Sequence, residues 1–130
     1  ERTIWIDCDV IQADGGTRVA SITGAYVALV DAINWLRNNN ELTGEPLLGS
    51  VAAVSVGVVD GVSVLDLCYE EDVSASVDMN IVLTGDGEYI ELQGTAEKQT
   101  FSEEELAQMI GQAKKGINEL TRMQQEVLGK

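Results

Sequence analysis

The residues best suited to chemistry in this chain form a glycine turn followed by an arginine, Asp14-Gly15-Gly16-Thr17-Arg18. The turn separates an extended apolar run from a long amphipathic stretch, so it predicts a helix that begins beside two glycines. The first N–H groups of such a helix point outward at the positive end of its dipole, and glycine lets an anion approach the backbone closely. Arg18 adds a forked, permanently charged donor. The motif is typical of a phosphate site, and a plain strand-to-helix turn is the alternative interpretation.

A second group of polar residues contains Asp72 and Asp78, which lie on either side of a run of small residues. Two carboxylates at the edges of such a loop can converge on one divalent cation, and Mg²⁺ or Mn²⁺ fits because both prefer oxygen ligands and keep several waters. A solvated acidic loop is the alternative interpretation. Asp66 is either a third acid near this loop or a residue on the solvent face. Together with the glycine turn, the pair predicts chemistry at phosphorus, where a protein mainly positions groups and neutralises charge.

The composition restricts the class of protein. The chain has 130 residues, 45% of them hydrophobic, which fits one globular domain and excludes general disorder. Its 22 acidic and 8 basic residues give a net charge of −14, which by itself argues against a nucleic-acid partner. The sequence contains no histidine, so zinc chemistry and histidine-assisted nucleophiles are set aside. Any catalysis must then use carboxylates or hard metal ions.

Targeting signals are not evident in the sequence. No run resembles a secretory leader, and none is expected to reach the ~20 apolar residues that span a bilayer. We therefore expect a cytoplasmic protein with no membrane partner. The chain begins at Glu1 and enters an apolar run almost at once, so we also expect that another segment precedes it.

The elements that must position these residues follow from hydrophobic periodicity. Alternation predicts a half-buried strand over Thr3 to Val10, and apolar residues at three- and four-residue steps predict a helix over Thr17 to Arg37. The continuously apolar run Val51 to Val59 predicts a central strand covered on both faces. A capping box, Ser102 with Glu105, opens a final helix with a buried stripe.

Two hairpins are predicted between these elements, because turn sequences occur at Asp60-Gly61 and at Gly85-Asp86-Gly87. The strands run over Val62 to Tyr69, Asp78 to Thr84 and Glu88 to Gln93, with an acidic loop over Glu70 to Val77. The order β-α-β-β-β-β-α predicts an α+β domain of two layers. In it, an antiparallel or mixed sheet of four to five strands is covered on one face by two main helices.

Several runs of the sequence closely resemble the bacterial ribonuclease PH family. They are Asp7 to Arg18 (DCDVIQADGGTR), Val51 to Gly57 (VAAVSVG), Glu71-Asp72 through Asp78-Met79-Asn80, and Gln93 to Glu97 (QGTAE). The resemblance covers essentially the whole chain but matches only the C-terminal part of that enzyme. It therefore implies that residues 1–130 are the C-terminal part of a ribonuclease PH-type domain, and that the N-terminal part is absent from this chain.

The resemblance implies a phosphorolytic 3′-to-5′ exoribonuclease, also a tRNA nucleotidyltransferase. Such an enzyme trims tRNA 3′ ends with inorganic phosphate, releases nucleoside diphosphates and can run in reverse. The site residues it implies are Gly15, Gly16, Thr17 and Arg18 for phosphate, and Asp72 and Asp78 for catalysis and for a divalent metal, Mg²⁺ or Mn²⁺. Asp78 is then the candidate for handling the proton on the leaving 3′ oxygen.

The implied partners are RNA, in particular tRNA precursors, the N-terminal half of the same enzyme, and further copies in a hexameric ring of dimers. Uncovered apolar surface is then expected at Trp5, at Trp35 and on the last helix. The N-terminal half would supply the cationic RNA track and a further phosphate-contacting arginine, so this fragment alone is expected to have little activity. Two other classes stay open: a non-catalytic structural subunit of an exosome-like ring, and an acidic protein-interaction module.

Overall fold

The computed structural model describes residues 3–129 and contains three helices and four strands in that part of the chain. In chain order they are α1 (Thr17–Asn38), β1 (Val51–Val59), β2 (Val62–Leu65), α2 (Tyr69–Ser74), β3 (Val77–Thr84), β4 (Tyr89–Ala96) and α3 (Glu103–Val127).

The four strands form one antiparallel sheet in the order β2-β1-β3-β4. The Asp60-Gly61 turn joins β1 to β2, and β1 pairs along nearly its whole length with β3. β1 is therefore a central strand, and all its residues except the two ends are buried. The α+β class and the antiparallel sheet of four strands are confirmed.

The two long helices lie on opposite faces of this sheet. Met109 and Ile117 of α3 pack in one hydrophobic cluster with Val54 of β1. Val19 of α1 packs in a second cluster with Ala53, the residue before Val54 in β1. Neighbouring residues of a strand point to opposite faces, so the structure differs here from the expectation of two helices on one face. The reason is β1 itself: a strand that is apolar on both sides needs a cover on each side to exclude water.

Hydrogen bonds fix α1 and α3 to β1 beyond the end of β2. The Thr23 hydroxyl donates to the Ala53 carbonyl at 3.2 Å and accepts from the Ala53 N–H at 3.0 Å. The Gln124 side-chain amide of α3 donates to the Thr23 carbonyl at 2.9 Å and to the Val51 carbonyl at 3.0 Å. These bonds hold the first half of α1 at a fixed place over the sheet.

The prediction of a strand over Thr3 to Val10 is wrong, because residues 3–16 contain no helix or strand. The segment runs along α1 and shares a groove with Ala20, Gly24 and Ala28. A strand needs a neighbour that receives its backbone hydrogen bonds, and no strand of the described residues pairs with this segment. The outward side chain of Trp5 is accordingly 91% exposed.

The region between β2 and β3 also differs from the expectation. β2 ends at Leu65 because Asp66 turns the chain with a φ of 59°. The loop expected over Glu70 to Val77 is largely the short helix α2, whose first turn is acidic. The Glu71 carboxylate accepts from the Cys68 N–H at 3.0 Å and so satisfies the N-terminus of α2. Acidic residues at that end favour a helix through its dipole.

The other elements agree with the periodicity. The helix predicted over Thr17 to Arg37 is confirmed as α1, which ends in the polar run at Asn38, and the capping box of Ser102 with Glu105 is confirmed at the start of α3. Periodicity also placed Val127 in the buried stripe of the last helix, but Val127 lies at the end of α3 and is 76% exposed.

α1 is long and apolar enough, by length and composition alone, to cross a membrane. This corrects the expectation that no segment reaches that length. The apolar residues of α1 include Val19, Val30 and Ile33, which are buried in the fold.

Candidate active site

The glycine turn forms the N-terminus of α1. Gly15 and Gly16 both have positive φ, 73° and 56°, and Gly16 is the N-cap residue. The Gly16 carbonyl accepts the first helical hydrogen bond, from Ala20 at 3.0 Å, and no acidic residue occupies the first turn. The N–H groups of Thr17 and Arg18 precede that bond and point outward. The turn therefore has the geometry that favours an anion.

Arg18 is paired with a carboxylate that the sequence pattern did not indicate. Its Nη1 donates to Glu91 Oε1 at 2.8 Å and its Nη2 donates to Glu91 Oε2 at 2.7 Å. The hydrogen bonds with Glu91 raise the pKa of Arg18, and those with Arg18 lower the pKa of Glu91. The pair joins residues far apart in sequence, on α1 and β4, so periodicity carries no signal for it. Arg18 thus uses both Nη atoms of its guanidinium to bind the Glu91 carboxylate, and the same two donors would suit two oxygens of a phosphate.

The acidic pair lines a small open cavity of about 350 Å³ together with Glu97 and Lys98. Asp78 lies in β3, where it pairs with Gly57 on one side and with β4 on the other. Burial raises the pKa of Asp78, and the charges of Asp72 and then Glu97 raise it further. Ionised Asp78 is therefore electrostatically unfavourable where it lies, and a bound cation would relieve that cost.

The carboxylates Asp72 and Asp78 fit Mg²⁺ or Mn²⁺ in donor chemistry. Within residues 3–129, no group of three or more histidine, cysteine or acidic side chains is arranged to hold one metal ion. Mg²⁺ commonly binds through one or two carboxylates and keeps several waters, so two acids are enough for it. The arrangement suits a hydrated hard cation better than a metal that needs a full set of protein ligands.

Two neighbours of the acidic pair were not identified in the sequence. Glu97 follows β4 two positions after Thr95, the residue that pairs with Asp78. Because strand residues two apart share a face, extending the strand pairing would have found it. Lys98 donates through its ammonium to the carbonyls of Val73 at 3.2 Å and Ser74 at 2.8 Å. Lys98 thus holds the C-terminal end of α2, the helix that carries Asp72.

The glycine turn and the acidic pair lie on the same face of the sheet. A Cβ atom added to Gly16 would lie 3.5 Å from the Ser55 hydroxyl. Ser55 is two residues before Gly57 in β1, and Gly57 pairs with Asp78 of β3. Residues two apart in a strand point to the same face, so the turn lies over the face that carries Asp78, two residues further along the strands. The structure therefore places the two groups that the sequence singled out over the same face of the sheet.

The guanidinium of Arg18 extends in the opposite direction along the sheet. Its partner Glu91 pairs with Val82, which is four residues from Asp78 along β3. At 3.3 Å per residue, that separation is about 13 Å. Thr17 and the helix N-terminus thus lie nearer to the acidic cavity than the paired tip of Arg18 does.

Asp66 does not belong to the acidic cavity. Its Oδ1 atom lies 4.0 Å from the position of a Cβ on Gly16, and the residue is exposed. Asp66 is therefore beside the glycine turn, at the corner where the chain leaves β2. Its place on the solvent face agrees with the second of the two interpretations drawn from the sequence.

Comparisons with known proteins identify the family of this chain. Residues 49–116 match the family model described as 3′ exoribonuclease family, domain 2, and residues 1–33 match domain 1 of the same family. The chain is 58% identical to a protein named Ribonuclease PH from Corynebacterium efficiens, over 129 residues that cover 99% of this chain and 53% of that protein. It is 59% identical to Ribonuclease PH from Listeria welshimeri over 130 residues, which cover 99% and 52% of the two proteins.

The chain spans about half the length of these curated relatives. Among solved structures, the crystal structure of rice (Oryza sativa) Rrp46 is similar, with a TM-score of 0.73 and 20% sequence identity. The match covers 92% of this chain and 51% of that one. At that level of identity the likeness shows the fold.

Proposed function

We propose, from the premise that this chain belongs to the 3′ exoribonuclease family, that it is the part of a phosphorolytic exoribonuclease that holds the attacking phosphate and the catalytic acids. One observation carries the proposal. The glycine turn at Gly16 and the Asp78 carboxylate lie over neighbouring positions on one face of the sheet, and Asp72 lines the same cavity as Asp78. An inorganic phosphate and a scissile phosphodiester placed there would be neighbours, as in-line transfer at phosphorus requires.

In the proposed reaction, an oxygen of inorganic phosphate attacks the last phosphodiester of an RNA chain. The bond to the 3′ oxygen of the preceding nucleotide breaks, and the terminal nucleotide leaves as a nucleoside diphosphate. Gly16, Thr17 and Arg18 bind the attacking phosphate, and Gly15 shapes the turn. For this role the Arg18 guanidinium must leave Glu91 and turn toward the helix N-terminus. The helix N–H groups suit this role because they are fixed in place before the anion binds.

Asp72 and Asp78 are the proposed ligands of Mg²⁺ or Mn²⁺, and the ion, when bound, supplies charge neutralisation at the phosphodiester oxygens. Asp78 also takes the proposed role of delivering a proton to the leaving 3′ oxygen. Burial and acidic neighbours raise the pKa of Asp78 in the cation-free site, which favours a general acid. A bound cation would lower that pKa again, so the proton role requires a carboxylate oxygen of Asp78 that the cation does not hold.

The proposed partners are RNA, with tRNA precursors as the substrate class, and the remaining half of the enzyme. A net charge of −14 on this chain repels RNA, so the cationic track that holds the RNA must come from that other half. Assembly into a ring of dimers belongs to the same proposal. Exposed apolar side chains at Trp5, Ile11 and Trp35 provide surface for such contacts.

The test is phosphorolysis of an RNA labelled near its 3′ end. The chain is assayed alone and mixed with the part of Listeria welshimeri Ribonuclease PH that it does not cover. We expect nucleoside diphosphates in the mixture, in proportion to added phosphate, and little product from the chain alone. Asp78→Asn should mainly lower kcat, whereas Arg18→Ala should mainly raise KM for phosphate. Nucleoside monophosphates that form without phosphate would contradict the proposal, and so would full activity of Asp78→Asn.

The pairing of Arg18 with Glu91 favours a second candidate, a non-catalytic structural subunit of an exosome-like ring. In that case Arg18 serves the fold by joining α1 to β4. The two candidates predict different binding behaviour. A scaffold would bind neither phosphate at the glycine turn nor Mn²⁺ at Asp72 and Asp78, whereas the enzyme would bind both.

A further inference from the structure

Asp14 connects the glycine turn to the helix that carries Asp72. Its Oδ1 atom accepts a hydrogen bond of 3.0 Å from the backbone N–H of Tyr69, the first residue of α2. That N–H belongs to the group at a helix start that has no partner within the helix. The carboxylate thus satisfies α2 from outside, and it does so from the residue next to Gly15.

The backbone around Gly15 is in direct contact with the same segment. A Cβ atom on Gly15 would collide with the carbonyl oxygen of Leu67 and lie 2.9 Å from the carbonyl carbon of Cys68. Only glycine permits this approach at a φ of 73°. Leu67 is itself buried, and its side chain fills the space over Gly57, the partner of Asp78. The turn and the start of α2 therefore form one packed unit.

The hydrogen bond also orients the Asp14 carboxylate toward the start of α2. A carboxylate beside an anion-binding turn would repel phosphate, yet the Asp14 oxygen points at the N-terminus of α2. At the other end of α2, Lys98 holds the carbonyls of Val73 and Ser74. α2 is thus fixed at its two ends, by Asp14 and by Lys98, and Asp72 lies between them.

We propose that Asp14 is a positioning residue that couples the phosphate turn to the acidic pair, so that binding of phosphate and binding of a divalent cation strengthen each other. This inference rests on the proposed function, because it assigns a role within the same site. The physical reason is that the Asp14 hydrogen bond and the Gly15 contact tie the position of the turn to the position of α2, so a ligand that stabilises one of them in its binding position also stabilises the other. Mutual strengthening of this kind is reciprocal by thermodynamic linkage.

The experiment measures Mn²⁺ binding to the 130-residue chain by titration calorimetry, without phosphate and with saturating inorganic phosphate. The wild-type chain should bind Mn²⁺ about tenfold more tightly when phosphate is bound, within the usual range of such coupling. Asp14→Ala should reduce this ratio to nearly one and leave the two separate affinities within roughly twofold. Asp14→Asn should restore the ratio, because its Oδ1 atom still accepts from Tyr69.

Two controls separate the possible causes. Asp86→Ala removes the same charge in the turn between β3 and β4 and should leave the ratio at the wild-type value. Thermal unfolding of each variant reports whether the fold is retained, and Asp14→Asn tests the hydrogen bond if Asp14→Ala does not fold. An unchanged ratio in Asp14→Ala would overturn the inference and leave the proposed function intact. Failure of the wild-type chain to bind either ligand would reject both for this chain.

Discussion

The two ends of the candidate active site are built in opposite electrostatic states. At the acidic end, Asp78 lies in a central strand, and burial and its acidic neighbours raise its pKa. At the phosphate end, the charge of Arg18 is already met by Glu91 through two hydrogen bonds. The acidic end therefore gains from an added cation, whereas at the phosphate end an added anion must compete for the arginine. Removing the charge of Asp78 should therefore stabilise the ligand-free fold and weaken cation binding, whereas removing the charge of Glu91 should cost the fold an ion pair and strengthen anion binding.

The largest expected effect is on metal binding by Asp78→Asn. Removing one of two charged ligands should weaken Mn²⁺ binding by about 100-fold, since even indirect changes to a metal site cost about 10- to 100-fold. The ligand-free variant should nevertheless unfold at a higher temperature at neutral pH, because the unfavourable charge is gone. Calorimetric titration and thermal unfolding measure the two effects, with Asp86→Asn as the matched control. A variant that is destabilised and still binds Mn²⁺ would contradict the comparison.

The next largest effect is on phosphate binding by Arg18→Ala. Loss of a forked, charged donor should weaken phosphate binding about tenfold, with the glycine turn retaining the remainder. Arg18→Lys should lie in between, because lysine keeps the charge without the fork. A phosphate titration followed by backbone amide shifts at Thr17 measures this. Equal affinities in wild type and Arg18→Ala would place the anion at the helix N-terminus alone.

A smaller effect in the opposite direction is expected for Glu91→Gln. The change releases Arg18 from its carboxylate, so phosphate should bind roughly two- to fivefold more tightly, as expected for an exposed ion pair. The gain should shrink at high salt, where both attractions are screened. The same titration at low and high ionic strength tests it. Weaker phosphate binding in Glu91→Gln would mean that Glu91 orients Arg18 for the anion.

The pH dependence of stability should be the smallest of these effects and should also separate the two ends. The folded-state pKa of Asp78 is raised above 3.8, so its contribution to stability is present below that value and is lost as the pH rises through the raised pKa. The pKa of Glu91 is lowered from 4.5, so its contribution is present above that value and is lost as the pH falls through the lowered pKa. Urea unfolding of Asp78→Asn and Glu91→Gln across this range measures both. If the stability contributions of Asp78 and Glu91 changed with pH in the same direction, the contrast between the two ends of the site would be wrong.

The sequence predicted the elements whose signals are local. The hairpin turn at Asp60-Gly61 and the capping box at Ser102 act within a few residues of the chain, and both are found in the structure. The apolar run of β1 predicted cover on both faces, which is also found. Side chains that the topology brings together could not be predicted in this way. Glu91 reaches Arg18, and Asp14 reaches Tyr69, only after the sheet and α1 have packed.

The failure over Thr3 to Val10 has a different physical cause. Alternation describes the side chains of a strand, whereas a strand also needs backbone partners, and the described residues provide none there. The roles of Gly15, Gly16, Thr17, Arg18, Asp72 and Asp78, and the use of Mg²⁺ or Mn²⁺, stay predictions. The structure adds that the turn at Gly16 and Asp78 lie over one face of the sheet.

The exposure of the two tryptophans gives this chain a built-in optical reporter. Trp5 is 91% exposed and Trp35 is 60% exposed, and Trp35 shares a groove with Ile4 next to Trp5. The sequence has no other tryptophan. Intrinsic fluorescence should therefore resemble that of indole in water and shift to shorter wavelength when any molecule covers this side. Association can then be followed without a label, separately from ligand binding at the opposite end of α1.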